Sequence, residues 1–311
     1  MKKILFVDSL HSFLYNELKK RGYHCVEGYH FSKDEIQAMS SDFYGLVIRS
    51  RIKIDSAFID NCNQLKFIAR AGSGMENIDE EYAKSKGIIC LNAPEGNRQA
   101  VAEHALAMLL NLFNHLTTAD VEVRKQIWKR EANRGTELSR KTIGIIGYGN
   151  TGSAFAKLLA GFDVKVLAYD KYKTGFGQAH VTECSMDDIF EQADILSLHI
   201  PLTNETHHLL NKAFLQRFKK PIYIINTSRG SCVDTHALVD GLNNGTLKGA
   251  CLDVLEQEHT SFSSVVPTPE YNELAASKKV ILSPHIAGWT VESHLKIAHV
   301  LFEKIQNLEN N

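Results

Sequence analysis

Residues 142–170 read TIGIIGYGNTGSAFAKLLAGFDVKVLAYD. A short β-branched run leads into Gly147, Gly149 and Gly152 in the spacing G-x-G-x-x-G; apolar positions then recur at helical spacing, and VKVLAY makes a second strand ending at Asp170. The first glycine permits a tight turn, the second lets backbone N–H groups approach a pyrophosphate, and the third lets helix and strand pack closely. Asn150 and Thr151 open the helix, whose N-terminus adds partial positive charge to this cradle. Asp170, 23 residues after Gly147, is placed to accept both ribose hydroxyls and to repel a 2′-phosphate, which selects NAD over NADP.

On the C-terminal side of this unit, ADILSLHIPL, PIYIINTS, LKGACLDV and KVILSPHI continue the strand pattern. On its N-terminal side, KKILFVD, YHCVEGY, YGLVIRS, LKFIARAG and GIICLNAP alternate with helical stretches, two of them opened by caps at Ser32 (with Glu35 three residues on) and Asp79. Strands alternating with helices imply parallel, doubly wound sheets, so the chain is α/β with two such domains. Between them, GNRQAVAEHALAMLLNLFNHLTTADVEVRKQIW runs without proline and predicts one long connecting helix, and VESHLKIAHVLFEKIQNLE predicts a C-terminal helix.

Composition sets the outer limits. At 311 residues, 44% apolar and 23% charged, the chain is long enough for two domains with real cores. A net charge of −1 with scattered lysines and arginines lacks the electrostatic footprint of nucleic-acid binding. The opening MKKILFVDSL is interrupted by Asp8 and reads as a strand, not a signal peptide, and HALAMLLNLF is too short to cross a bilayer. Six cysteines without a C-x-x-C pair fit reduced, buried thiols of a cytoplasmic protein with no metal site.

Wound sheets bind ligands beyond the carboxyl ends of their strands. Arg229 follows IYIINTS, Glu258 follows CLDV and His285 follows KVILSP. Taken singly, each has an ordinary structural reading as a solvated charge or a packed histidine. Together they match hydride transfer at C2 of a hydroxy acid, which needs a base for the hydroxyl proton, a cation for the substrate carboxylate, and a group to orient the base.

ARAGSGMENID, NAPEGN, AVAEHALAMLL, KTIGIIGYGNTG, INTSRG, LDVLEQE and SPHIAGWT occur in this order, and with the R-S at Arg49 they span residues 49 to 290. The series resembles the D-isomer-specific 2-hydroxyacid dehydrogenases. The resemblance implies a Rossmann NAD-binding domain (residues 95–285) inserted into a discontinuous, flavodoxin-like substrate domain (1–94 and 286–311), with hinges near Asn92 to Gly96 and Pro284 to Gly288. It implies Arg229, Glu258 and His285 as catalytic residues and Asp253 as a carboxylate facing the nicotinamide. Backbone N–H groups at Ser73 and Gly74 are implied as carboxylate ligands, and the helical region after residue 97 as a homodimer contact.

Within the family, VIRSRIKID resembles the 3-phosphoglycerate dehydrogenases, in which an arginine matching Arg49 meets the substrate phosphate. The expected substrate is a 2-hydroxy or 2-keto acid, D-3-phosphoglycerate first, with conversion to 3-phosphohydroxypyruvate for serine synthesis. A glyoxylate, hydroxypyruvate or D-lactate type reductase is the alternative, and an NADH-sensing corepressor is a reading from another class. Arg49 or Arg51 could instead pair with a nearby carboxylate. Two departures from the family pattern stand out: His259 where proline commonly follows the catalytic Glu, and Trp289 after Ala287 and Gly288. The chain ends at a helix near residue 308, so inhibition by serine through a C-terminal regulatory domain is not expected.

Overall fold

The computed structural model describes residues 1–259 and 264–309. The chain forms two compact units: Met1–Arg98 with the chain from Trp289 onward, and Gln99–His259 with Ser264–Gly288.

The first unit holds five parallel strands, β1 (Lys3–Phe6), β2 (His24–Glu27), β3 (Gly45–Ile48), β4 (Phe67–Arg70) and β5 (Ile89–Leu91), in the order β2-β1-β3-β4-β5. This is the flavodoxin-like winding. Side chains alternate across it, Leu5, Leu46, Ile48 and Ile68 packing on one face and Ile4, Phe6, Val47 and Phe67 on the other. The second face is covered by the C-terminal helix Val291–Glu309 through Ile297, Ala298, Leu301 and Ile305, a spacing of one helical stripe. Each fully buried Leu or Ile there contributes about 1.5–3 kcal/mol, so a segment distant in sequence is integral to this core.

The second unit holds β6 (Thr142–Ile146), β7 (Lys165–Tyr169), β8 (Thr182–Glu183), β9 (Ile195–Leu198), β10 (Ile222–Asn226), β11 (Leu247–Leu252) and β12 (Val280–Leu282). Their order, β12-β11-β10-β9-β6-β7-β8, is all parallel and reverses direction between β6 and β9, the crevice where such sheets take ligands. Central strands are buried on both faces, as ILSL of β9 illustrates. The two-residue β8 has no counterpart in the expected strand set.

The expected single connecting helix is two helices, Pro94–Asn114 and Leu116–Arg124, broken where His115 adopts φ 53°, ψ 30°. The unit boundaries fall at Arg98/Gln99 and Gly288/Trp289, a few residues beyond 94/95 and 285/286. The first turn of the long helix packs inside the first unit: a Cβ on Gly96 would lie 2.7 Å from the Ile297 backbone nitrogen, and Lys304 Nζ donates to the Asn92 carbonyl at 2.9 Å. Among the described residues, no helix is long and apolar enough to cross a membrane.

Candidate active site

The glycine-rich turn has three glycines with three different constraints. Gly147 sits at φ +91°, and a Cβ there would stand 2.3 Å from the His199 carbonyl oxygen. A Cβ on Gly152 would stand 2.0 Å from the Gly147 carbonyl oxygen. Gly149 has nothing within 4 Å of its Cβ position, and it caps the helix Asn150–Leu159 without any side-chain cap. With open space at the Gly149 Cβ position and no side-chain cap, the first amides of that ten-residue helix suit a phosphate.

Asp170, just past β7, is anchored by backbone donors: Tyr148 N–H to Oδ2 at 2.8 Å, Tyr172 N–H to Oδ1 at 2.9 Å and Lys173 N–H to Oδ1 at 3.0 Å. Its charge is thus fixed beside the glycine turn, where ribose hydroxyls have an acceptor and a 2′-phosphate has a repellent. His199, just past β9, bridges the sheet and the turn, with Nε2 2.8 Å from Ser197 Oγ and Nδ1 3.2 Å from Thr151 Oγ1. Burial pushes its pKa down to about 3, so it is neutral here. Glycine turn, helix terminus and Asp170 together fit NAD.

Beyond β11 and β12 lie Glu258 and His285. His285 Nδ1 and Glu258 Oε2 are 2.7 Å apart in a partly buried pair. An ionised carboxylate can only accept, so Nδ1 carries the proton and Nε2 is the position for proton exchange. The other Glu258 oxygen accepts from the Leu255 N–H, which holds the carboxylate from its own loop.

The backbone at His285 lies in the left-handed region, φ 56°, a conformation that costs a non-glycine residue about 1–2 kcal/mol. Asp253 holds it there. The Asp253 carbonyl accepts from His285 N–H at 2.8 Å, Oδ1 accepts from Ile286 N–H at 2.9 Å and Ser283 Oγ–H at 2.6 Å, and Oδ2 accepts from Ala287 N–H at 2.8 Å. The carboxylate that the family resemblance places toward the nicotinamide is thus buried and grips the loop that presents His285.

Arg229, past β10, donates from Nη1 to the Ser228 carbonyl at 2.7 Å, and its own carbonyl accepts from Asn226 Nδ2 at 2.9 Å. A Cβ on the next residue, Gly230, would lie 2.0 Å from the Leu255 carbonyl carbon, so the Arg229 strand end abuts the loop leading to Glu258. Glu256 secures that loop by accepting from Thr235 Oγ1 at 2.7 Å and pairing with His208 Nε2. Gly230 and Glu256 stand inside INTSRG and LDVLEQE, whereas no local sequence pattern marks Thr235 or His208. After Glu258, His259 N–H donates to the Ser264 carbonyl at 3.0 Å; residues 260–263 lie outside the described residues.

In the first unit, Arg51 is the structural arginine, donating from Nε to Asp8 Oδ1 at 3.3 Å and to the Gly28, Phe31 and Val7 carbonyls. Arg49 differs: its backbone N–H bonds Asp8, while its guanidinium lies over the Trp289 ring, 3.8 Å from the centroid. Burial lowers the Arg49 pKa and Asp8 partly opposes that. In the AGSG turn, Ser73 Oγ donates to Asn97 Oδ1 at 2.7 Å and its carbonyl accepts from Asn92 Nδ2 at 2.8 Å. Gly74 follows it, half-buried.

Residues 106–287 match the family described as D-isomer specific 2-hydroxyacid dehydrogenase, NAD binding domain. A hydroxypyruvate reductase of Thermotoga maritima is 36% identical over 281 residues, 90% of this chain and 89% of that one. A D-3-phosphoglycerate dehydrogenase of Synechocystis is 37% identical over 279 residues, 89% of this chain but 49% of that one, so the chain spans about half its length. Among solved structures, a D-lactate dehydrogenase of Aquifex aeolicus, complexed with NAD and lactic acid, superimposes with a TM-score of 0.85 at 27% identity, covering 99% of this chain and 96% of that one. The chain belongs to the D-isomer-specific 2-hydroxyacid dehydrogenase family. It is an oxidoreductase with NAD as cofactor.

Proposed function

We propose that the protein interconverts D-3-phosphoglycerate and 3-phosphohydroxypyruvate, the entry step to serine synthesis. The observation that carries this reading is Arg49: among the described residues, no hydrogen-bond acceptor meets its guanidinium, although the group is half-buried and its face is stacked on Trp289. A guanidinium held by one face keeps its N–H fork for a phosphate.

Held by the glycine turn and Asp170, NAD would supply the hydride acceptor for C2 in oxidation and, in its reduced form, the donor in the reverse direction. In oxidation, His285 accepts the C2 hydroxyl proton at Nε2, and the Glu258 carboxylate balances the resulting imidazolium; in reduction His285 returns that proton to the oxygen. Arg229 and the amides at Ser73 and Gly74 hold the substrate carboxylate, Arg49 the phosphate. Asp253 keeps the His285 loop in place.

A reductase of unphosphorylated 2-keto acids is the second reading, favoured by the hydroxypyruvate reductase relative, 89% of whose length is matched. The deciding experiment follows NADH oxidation with phosphohydroxypyruvate, hydroxypyruvate, glyoxylate and pyruvate, compared by kcat/KM. A preference for phosphohydroxypyruvate supports the phosphate reading; a preference for an unphosphorylated acid replaces it. NADH binding without turnover of any of them would favour the corepressor reading.

We also propose a homodimer. The helix Leu116–Arg124 buries no residue, and Leu116, Val121, Val123, Ile127 and Trp128 are exposed along it and just beyond, apolar surface that a second copy would cover in part. Light scattering after size exclusion tests it, and a monomer at micromolar concentration rejects it.

A further inference from the structure

The long helix Pro94–Asn114 carries His104, a residue with no role in the reaction as described so far. His104 Nε2 lies 2.8 Å from Ser283 Oγ and 3.5 Å from Asp253 Oδ1. We propose that His104 is a positioning residue for the reaction, acting through Ser283 and Asp253 on the backbone that presents His285. This inference rests on His285 being the acid–base group.

The direction of the hydrogen bonds follows from donor counting. Amide N–H groups can only donate, so the Ile286 and Ala287 bonds make both Asp253 oxygens acceptors. Ser283 then spends its single proton on Asp253 Oδ1, at 2.6 Å, and its oxygen is left to accept from His104. The proton of the His104 ring must therefore sit on Nε2. The chain of donors runs from His104 to Ser283 to Asp253, and the Asp253 carboxylate in turn holds the Ile286 and Ala287 amides that directly follow His285.

Charge placement supports the same role. The Asp253 side chain is 1% exposed, and among the described residues no lysine or arginine pairs with it. A buried carboxylate needs donors or a cation to offset lost hydration. His104, itself 24% exposed, is the group placed to give both, a donor through Ser283 and a cation when protonated. Without it, Ser283 loses its donor and is free to turn toward Met108 Sδ, 3.6 Å away. Any such turn removes one of the three bonds on the carboxylate that hold the left-handed His285 in place.

The test compares His104→Phe, His104→Gln, Ser283→Ala and, as reference, His285→Gln. Gln keeps an N–H near the Nε2 position; Phe keeps the ring volume without it. Small displacements of a catalytic group are costly, so His104→Phe and Ser283→Ala should each lower kcat about 10- to 100-fold. NADH affinity and the keto-acid KM should change less than about threefold, since the phosphate cradle and carboxylate ligands are elsewhere. His104→Gln should recover most of the lost kcat. Should His104→Phe fail to fold, Ser283→Ala carries the comparison. Unchanged kcat in the folded variants, a change confined to KM, or a Gln variant no better than Phe would overturn the positioning role. Full turnover by His285→Gln would instead overturn the acid–base reading beneath it, and the inference with it.

Discussion

Glu258 and His285, 27 residues apart, meet at 2.7 Å through a carboxylate oxygen and Nδ1. The pair depends on two unrelated devices: the Glu258 carboxylate is held by the Leu255 amide of its own loop, and the His285 backbone is held in a left-handed conformation by Asp253. An acid–base histidine needs a fixed tautomer, and Glu258 fixes it.

Replacing His285 with Gln should lower kcat about 10²–10⁴-fold, the usual contribution of a positioned acid–base group, with NADH affinity preserved. Glu258→Gln keeps an acceptor for Nδ1–H but removes the charge that balances an imidazolium, so its loss should be smaller yet at least about tenfold. Steady-state kinetics with fluorescence titration of NADH separates the two effects. A Glu258→Gln enzyme with undiminished kcat would rule out charge balance as its role.

The glycine turn gives a contrast between neighbours. Gly149→Ala places a methyl in open space at a helix cap, so stability should change by about 1 kcal/mol or less while the methyl intrudes on the phosphate cradle and NADH affinity falls tenfold or more. Gly152→Ala forces a Cβ to 2.0 Å from a carbonyl oxygen, so the fold itself should lose at least about 1–3 kcal/mol. Thermal melts and NADH titration of both variants check this. Equal melting temperatures would mean the Gly147 to Gly152 contact relaxes easily.

Much of this was readable in the sequence because it is local. The strands declare themselves as short apolar runs between helical stretches, and Ser32 and Asp79 cap their helices as their side chains predict. The break at His115 was not readable, since the left-handed residue there is not a glycine and the apolar pattern runs through it. Long-range pairing was equally hidden. Nothing in R-S-R tells which arginine Asp8 will take, and the partner of Ser283 lies 179 residues away on a helix that reads as a connector. Motifs mark where reactive groups lie; the contacts that aim them come from distant segments.

Arg49 tests the substrate. If it reads the phosphate, Arg49→Ala should raise KM for phosphohydroxypyruvate about 10- to 100-fold, matching about 1.5–3 kcal/mol for charge-assisted bonds, and leave hydroxypyruvate within about threefold. Trp289→Leu removes the platform under the guanidinium while keeping the charge, so a smaller loss with the same selectivity is expected. Equal losses on both substrates would assign Arg49 to the fold.

His199 makes stability depend on pH in a predictable direction. Its folded pKa of about 3 lies below the ordinary 6.5 because the ring is buried between Ser197 and Thr151. Below about pH 6.5 the unfolded chain binds a proton that the folded chain refuses, so stability falls as pH drops toward 3, by at most about 1.4 kcal/mol per pH unit for this group. Above 6.5 both states are neutral and the residue contributes no pH dependence. His199→Gln loses the hydrogen bonds to Ser197 and Thr151 but cannot titrate, so it should be less stable than the parent at pH 7.5, and the gap should narrow steadily by pH 4.5. Urea midpoints of the two proteins across that range measure the gap while cancelling the carboxylates common to both. A gap that stays constant with pH would mean His199 takes up its proton in the folded state as readily as in the unfolded one, and that its ring is open to water when the glycine turn is formed.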